Sequence, residues 1–264
     1  MKLSVEGIGA WGDGFQSWPE LQLLLAGRTV DHAGVVKGPK PEVIPANERR
    51  RAPLSAKLAV EVCSQAVEEA ALDTATMSSV FVSGLGDMDL TDYMCRQLAS
   101  ENKQLSPTKF HNSVHNAPAG YWTIAMGCTA PATALAGLYY SISEGLLEAF
   151  VQCTAEGGPV LLAVYDTPST QALDELYPCN STFAAALVLS KDVSSKSEAT
   201  IECCLESRAE TCWPDPQLPT QLQVAYNSNI AARILALLLP IANSETTSVK
   251  LPLSQESNLV VSVA

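Results

Sequence analysis

The sequence predicts an α/β fold in which helices are layered on a mainly parallel mixed sheet. Apolar runs typical of buried strands alternate along the chain with segments of helical periodicity. Hydrophobic residues make up 47% of the 264 positions and charged residues only 17%, so small and aliphatic side chains must fill the core. A chain of this length can bury one substantial core, and we expect a single compact domain over residues 1–264.

The first third of the chain predicts a strand, a loop, a helix, a second strand and a second helix. The opening KLSVEGIGAWG has strand character, and the glycines in it favour a turn. The basic, proline-rich residues 35–55 predict a surface loop. The next segment predicts a helix with one apolar face, formed by Leu58, Val62, Ala66 and Val67. SVFVSG then predicts a short strand before a turn at SGLGD, and DLTDYMCRQLAS predicts an acidic helix.

The rest of the chain predicts a charge-poor middle followed by several strands. Residues 110–153 are rich in small side chains, which indicates burial or an interface. PVLLAVYDT, FAAALVLSKD, ATIECCLESR and NLVVSVA have the apolar runs of strands. Residues 222–242 predict one helix, whose apolar part contains Arg233 and Pro240 and is too short to cross a bilayer.

The charge and cysteine content exclude several classes of function. A formal net charge of −12 argues against nucleic-acid binding, and an acidic carrier protein would need a local basic patch or a basic partner. The N-terminus is too poor in apolar residues for a secretory signal, so we expect a cytoplasmic protein with reduced, mostly buried thiols. None of the eight cysteines forms a C-x-x-C pair, and no zinc site is predicted.

The common catalytic and cofactor motifs are absent from the sequence. The glycine-rich segments carry neither a P-loop nor a dinucleotide fingerprint, and no G-x-S-x-G elbow occurs. His111 and His115 would share a face if their segment were helical, but Asn112 stands where a zinc hydrolase needs Glu. We therefore expect hydrogen-bonding side chains there, with no metal and no cofactor. The remaining histidine is His32, so residues after 115 supply no imidazole.

The middle of the chain carries a resemblance to a known family. VHNAPAGYWTIAMGCTAPATALAGLYYSISEGLLEA resembles β-ketoacyl synthases, in which an Asn-x-x-x-Gly turn precedes a Pro-containing strand, the nucleophile elbow and a helix. It is most similar to the β-ketoacyl synthase-like N-terminal domain family of aryl polyene clusters, as is the later VYDT…YPCNSTFAAALVLS. The resemblance covers most of residues 20–240 and implies a thiolase-like (ketosynthase) fold, truncated to about one half.

Two departures from the family pattern imply that the chain does not catalyse condensation. The catalytic Cys of active ketosynthases lies eight residues after the strand's proline, and counting from Pro131 gives Tyr139. A phenol with a pKa of about 10 replaces a thiolate poorly. Cys128 precedes that proline, which places it on the incoming strand with a structural role. Active members also use two His, or His and Asn, from a C-terminal half that this sequence does not complete.

The resemblance thus implies a chain length factor in polyene or fatty-acid-like elongation, which forms a heterodimer with an active β-ketoacyl-ACP synthase and meets acyl carrier protein transiently. The implied dimer interface is the strand Ala132, Thr133, Ala134, Leu135 and Ala136. The implied acyl-tunnel lining is Phe110, Ser113, Val114 and Ala117, with Phe110 and Val114 on one face if 109–116 is helical. Two alternatives remain open: an independent acyl-thioester enzyme that uses Cys128, His111 or His115, and a carrier-protein-binding scaffold without a ketosynthase partner.

Overall fold

The computed structural model describes residues 2–31, 38–207 and 213–264. Within them, eight strands form one sheet: β1 Lys2–Gly12, β2 Ser78–Val82, β3 Ala132–Leu135, β4 Val160–Asp166, β5 Phe183–Ser190, β6 Ala199–Ser207, β7 Thr247–Pro252 and β8 Ser257–Val263. The α-helices are α1 Trp18–Leu25, α2 Ala46–Arg49, α3 Leu54–Ala70, α4 Met88–Ala99, α5 Pro107–Asn112, α6 Ala117–Met126, α7 Ser141–Glu156, α8 Thr220–Ser228 and α9 Leu235–Ala242. The strand order is β3-β2-β4-β5-β1-β6-β8-β7.

The sheet is mixed, as predicted, but the prediction that it is mainly parallel is wrong. β2 runs parallel to β3 and to β4, whereas the five other pairings between described strands are antiparallel. β3 and β4 lie on either side of β2 and run parallel, and α7 supplies the long crossover that connects them. In the described residues no helix separates β4 from β5 or β7 from β8, and each of these two pairs consists of neighbouring antiparallel strands. No helix separates β5 from β6 either, and these two strands lie on either side of β1.

Helices cover both faces of the sheet. On one face α3 and α6 bury residues such as Val62 and Trp122 against the strands. On the other face α1, α7 and α9 bury residues such as Leu21, Phe150 and Leu238. β4 and β5 are buried at every position because both of their faces are covered, which explains their uninterrupted apolar sequences.

Most of the glycine-rich N-terminal segment, residues 7–12, lies inside β1, so the predicted turn is confined to Asp13 and Gly14. A Cβ at Gly7 would lie 2.3 Å from the carbonyl oxygen of Ala66, and one at Gly9 would lie 2.0 Å from that of Val62. Only glycine therefore allows α3 to pack this closely on β1.

Several predicted elements are confirmed, and one is divided. The predicted helix that contains Leu58 and Val62 is α3, and the acidic helix predicted over 89–100 is α4. The helix predicted over 222–242 is instead α8, a 3₁₀ turn at Ala231–Ile234 and α9, because Asn229 is extended between them. The described part of the predicted basic loop contains the one-turn α2, and residues 35–37 lie outside the described residues. Of the helices described, none is long and apolar enough to span a membrane.

Candidate functional site

The parallel strands β2, β3 and β4 end at the same edge of the sheet. The loop 83–86, which follows β2, bonds to Asp166 at the end of β4, and residues 137–140 follow β3 at the same edge. In α/β folds the carboxyl ends of parallel strands are where sites are usually built. We call this edge the elbow edge.

The connection from β3 to α7 is a sharp strand-to-helix turn. Leu138 begins a 3₁₀ turn that ends at Tyr140, and its φ of +47° lies in the left-handed region that side chains rarely adopt. Ser141 stabilises the turn, because its hydroxyl accepts a hydrogen bond from the Gly137 N–H (2.9 Å) and donates one to the Leu138 carbonyl (2.7 Å). Leu138 and Tyr139 are 43% and 61% exposed.

Tyr139 lies in this turn, as the count from Pro131 predicts, although the left-handed residue is the preceding Leu138. The four residues of the turn are Gly, Leu, Tyr and Tyr, so it carries neither a thiol nor an imidazole. Cys128 lies in the connection between α6 and β3, not on the strand itself. It is buried with its Sγ 3.4 Å from the Met77 carbonyl oxygen, which is a packing contact.

The other buried thiols are poorly suited to attack a thioester. Burial raises the pKa of Cys63 and Cys153, that of Cys179 to about 12 and that of Cys203 to about 11. A raised pKa lowers the fraction of thiolate, which is the nucleophilic form. Five of the seven described cysteines are buried, in agreement with the prediction, while Cys212 lies outside the described residues.

β3 is an edge strand of the sheet. The N–H groups of Ser79 and Ser83 bond to the carbonyls of Pro131 and Leu135, so every second residue of β3 turns its backbone towards β2. Ala134 and its alternate neighbours 132 and 136 therefore present their N–H and C=O groups at the outer edge. Unpaired strand edges of this kind are templates for pairing with another chain.

A continuous helix over 109–116 does not form, so the condition under which Phe110 and Val114 would share a helical face is not met. α5 ends at Asn112, and a new helix begins at Ala117. Pro118 explains the break, because it has no N–H to bond to the carbonyl of residue 114 and its ring would clash there. The helical i, i+4 geometry considered for His111 and His115 does not form for the same reason.

An apolar groove of about 790 Å³ lies beside α5 and α6. Of the predicted tunnel residues, Val114 and Ala117 line it, Ser113 lines a smaller cavity with Val114, and Phe110 is 59% exposed on α5. α6 carries apolar side chains on most sides, and its Ile124 is 84% exposed in the groove. A helix this apolar is normally buried, so the groove is suited to being covered.

The rim of the groove carries side chains of both charge signs and an imidazole. Arg51 and His111 line it together with Glu48. His115 points elsewhere, with its Nε2 3.3 Å from the Ser83 carbonyl oxygen. In the part of the chain that the structure describes, no group of three or more His, Cys, Asp or Glu could hold a metal ion. His32 lies outside that part.

Asp166 is a buried carboxylate at the centre of the elbow edge. It accepts hydrogen bonds from the Ser83 hydroxyl (2.6 Å) and from the N–H groups of Gly84 (3.2 Å), Leu85 (3.2 Å) and Ala231 (3.1 Å). These donors favour the charged form, but burial outweighs them and raises the pKa of Asp166 to about 6. The carboxylate thus joins the loop after β2 to the 3₁₀ turn before α9.

Asn229 also links Asp166 to the 3₁₀ turn before α9. Its amide nitrogen donates to the Asp166 carbonyl (3.3 Å) and the Ser181 carbonyl (2.8 Å), while its Oδ1 accepts from the Ala232 N–H (3.2 Å). Neither Asp166 nor Asn229 is among the residues predicted from the sequence. The signal available was an acidic residue that ends the apolar run VLLAVYD.

The comparison with protein families decides the assignment. Residues 25–250 match the family described as beta-ketoacyl synthase, N-terminal domain. The chain belongs to the β-ketoacyl synthase N-terminal domain family. The predicted family resemblance is thereby confirmed. A comparison with curated protein sequences gives no match.

Solved structures of ketosynthase complexes share the fold of this β-ketoacyl synthase domain. The complex of a ketosynthase with its chain length factor from Xenorhabdus doucetiae matches with a TM-score of 0.72 at 20% identity, over 99% of both chains. The ishigamide ketosynthase/chain length factor matches with a TM-score of 0.73 at 12% identity, over 100% of this chain and 99% of the other.

A third match adds a carrier protein to the set of related complexes. It is a type II polyketide synthase acyl-carrier protein in complex with its ketosynthase bound to the hexaketide, with a TM-score of 0.72 at 11% identity over 100% and 99% of the chains. At these identities the likeness is one of fold. The predicted thiolase-like ketosynthase fold is confirmed.

Proposed function

We propose that the chain is a non-catalytic subunit of the chain-length-factor type, which forms a heterodimer with an active β-ketoacyl-ACP synthase. The pair would elongate a polyene or fatty-acid-like chain carried by acyl carrier protein. The observation that carries the proposal is the β3–α7 turn. In a ketosynthase fold this turn is the place for the nucleophile, and here it holds Leu138 and Tyr139 and no thiol.

The free edge of β3 supports pairing with a second subunit. Its outward backbone groups are unpaired in the described structure, and the alanines at 132, 134 and 136 have side chains small enough for another strand to approach closely. Leu138 and Tyr139 extend the same surface with exposed apolar area. A stable interface of this kind buries on the order of 2,000 Å².

The apolar groove supports a role in bounding an acyl chain. Val114 and Ala117 line it, and Phe110 is exposed on the preceding helix. A partner subunit that covered this surface would convert an open groove into an enclosed apolar space, which is the environment that an acyl chain requires. Side-chain volume at these positions would then limit the length of the product.

The related complexes support the identity of the partners. The solved structures with this fold include ketosynthases in complex with chain length factors, and one contains an acyl-carrier protein. In a chain of net charge −12, the cluster Arg49–Arg51 provides local positive charge near the groove, with Arg50 and Arg51 exposed. Such a cluster favours transient contact with an acidic carrier.

Affinity capture tests the proposed heterodimer. The chain is co-expressed with a tagged, full-length β-ketoacyl synthase from the same genome, and the captured complex is sized by light scattering. We expect a 1:1 heterodimer. Ala134→Asp should weaken it at least about tenfold, because the new carboxylate would be desolvated at the strand edge.

Thr247→Asp is the matched control, since Thr247 is an exposed residue of β7, the edge strand at the other end of the sheet. This variant should assemble like the wild-type chain. A chain that stays monomeric beside the synthase would contradict the proposal. If that monomer bound carrier protein, the scaffold alternative would replace it.

A further inference from the structure

We infer that Asp166 is a positioning residue that fixes the shape of the elbow edge for contact with the partner subunit. The inference rests on the proposed function, because it assigns the elbow edge to the interface. It extends that function by identifying a residue that touches neither partner nor substrate but determines whether the contact surface is formed.

The loop 83–86, which Asp166 holds, borders two cavities. Leu85 lines two cavities, one beside Leu138 and Tyr139 and a second, more polar one beside His115 and Asp87. The loop 83–86 is therefore the wall between the elbow and the α5–α6 connection. Displacement of Leu85 would change both cavities at once.

Asp166 joins this wall to the 3₁₀ turn at Ala231–Ile234. One carboxylate oxygen accepts from Ser83 and Leu85, and the other accepts from Gly84 and Ala231. The two segments also pack without space between them, since a Cβ at Gly84 would lie 2.6 Å from the Cδ1 of Ile230. Ile230 lines the cavity that contains Tyr139, so the carboxylate sets both walls of that cavity.

In the part of the chain that the structure describes, the Asp166 carboxylate is held by hydrogen-bond donors alone. Each oxygen of Asp166 faces two donors, and among the described residues the carboxylate has no ion-pair partner. A buried carboxylate without a cation is expensive, and such groups concentrate at functional sites. Four donors arranged around one anion hold a loop more rigidly than neutral contacts do.

The variant Asp166→Asn distinguishes an effect on the position of the loop 83–86 from a loss of overall stability. Asp166→Asn keeps the size of the side chain but directs an NH₂ group at two N–H or O–H donors. Removal of the buried charge offsets part of this mismatch, so the melting temperature should stay within about 3 °C of wild type. Hydrogen exchange of peptides that contain 83–86 and 229–232 should accelerate, and the affinity for the β-ketoacyl synthase should fall about tenfold.

Ser83→Ala provides a second variant, because it removes one donor and retains the carboxylate. It should show the same changes to a smaller degree. Ser4→Ala is the control: Ser4 is equally buried and donates to the carbonyls of Ser190 and Asp192, away from the elbow edge. It should leave partner affinity and exchange at 83–86 unchanged.

Three outcomes distinguish the possibilities. Unchanged partner affinity for Asp166→Asn, in a folded variant with faster exchange at 83–86, would overturn the inference. The inference would also be overturned if partner affinity fell in proportion to melting temperature in every variant, the control Ser4→Ala included. A wild-type chain that does not bind the synthase at all would overturn the proposed function, whatever the exchange data show.

Discussion

At the scale of single residues, Tyr139 and Asp166 illustrate what sequence can and cannot locate. Counting from Pro131 locates Tyr139, because the spacing between a strand and the following turn is a local property. Asp166 acts through Ser83, Asn229 and Ala231, which are far from it in the chain. No local pattern joins them, and only the folded sheet brings them together.

The raised pKa of Asp166 gives a prediction about stability and pH. Its folded-state pKa of about 6 lies above the ordinary value of 3.8, so the folded chain binds this proton more tightly than the unfolded chain. The contribution of this group to the free energy of unfolding therefore rises as the pH falls from about 6 towards about 4. Between pH 7.5 and pH 5 the gain should be about 1 kcal/mol.

Urea unfolding at the two pH values measures this gain as a difference between wild type and Asp166→Asn, which cancels the other carboxylates. The wild-type chain should gain relative to the variant at pH 5. Ser83→Ala keeps the carboxylate and should retain a gain of the same sign. Equal pH dependence in wild type and Asp166→Asn would show that the buried carboxylate is not the titrating group.

At the scale of elements, periodicity locates most strands and the long helix α3, but not how they join. The sequence analysis does not predict α1, although Ser17 followed by Pro19 is a usual signal for the start of a helix. The structure shows that Ser17 caps this helix, because its hydroxyl accepts a hydrogen bond from the Glu20 N–H. Strand directions could not be predicted, because they depend on crossovers and not on local sequence.

The break between α5 and α6 changes the expectation for the predicted tunnel residues. Phe110 is largely exposed, so Phe110→Ala should leave the stability of the isolated chain within about 0.5 kcal/mol of wild type. If Phe110 bounds the acyl chain in the assembled pair, as we propose, the variant should lengthen the product by about one or two extension units, because it removes a ring. Val114→Phe adds volume in the groove and should shorten the product.

Mass spectrometry of products from a heterodimer shown to be intact measures these changes. Val224→Phe is the control, since Val224 is an exposed valine on α8 and does not line the groove. It should leave product length unchanged. Unaltered lengths for both Phe110→Ala and Val114→Phe would mean that the stop lies elsewhere.

At the scale of the whole molecule, the sequence predicts a layered α/β architecture and its family but not the antiparallel majority of the sheet. The structure adds the feature that connects fold to function. One end of the eight-stranded sheet is a short, alanine-rich edge strand that leads into an exposed turn without a thiol or an imidazole. We interpret this end as the side that faces a catalytic partner.

The central claim is that the chain assembles with a condensing enzyme and contributes no nucleophile. The most direct measurement is acyl-chain extension by the reconstituted pair, in which the catalytic Cys of the partner synthase is replaced by Ala. We predict condensed product from the wild-type pair and none above background from the pair with the altered synthase. Condensed product that persists with that synthase, and is lost when this chain carries Cys128→Ala, would contradict the account.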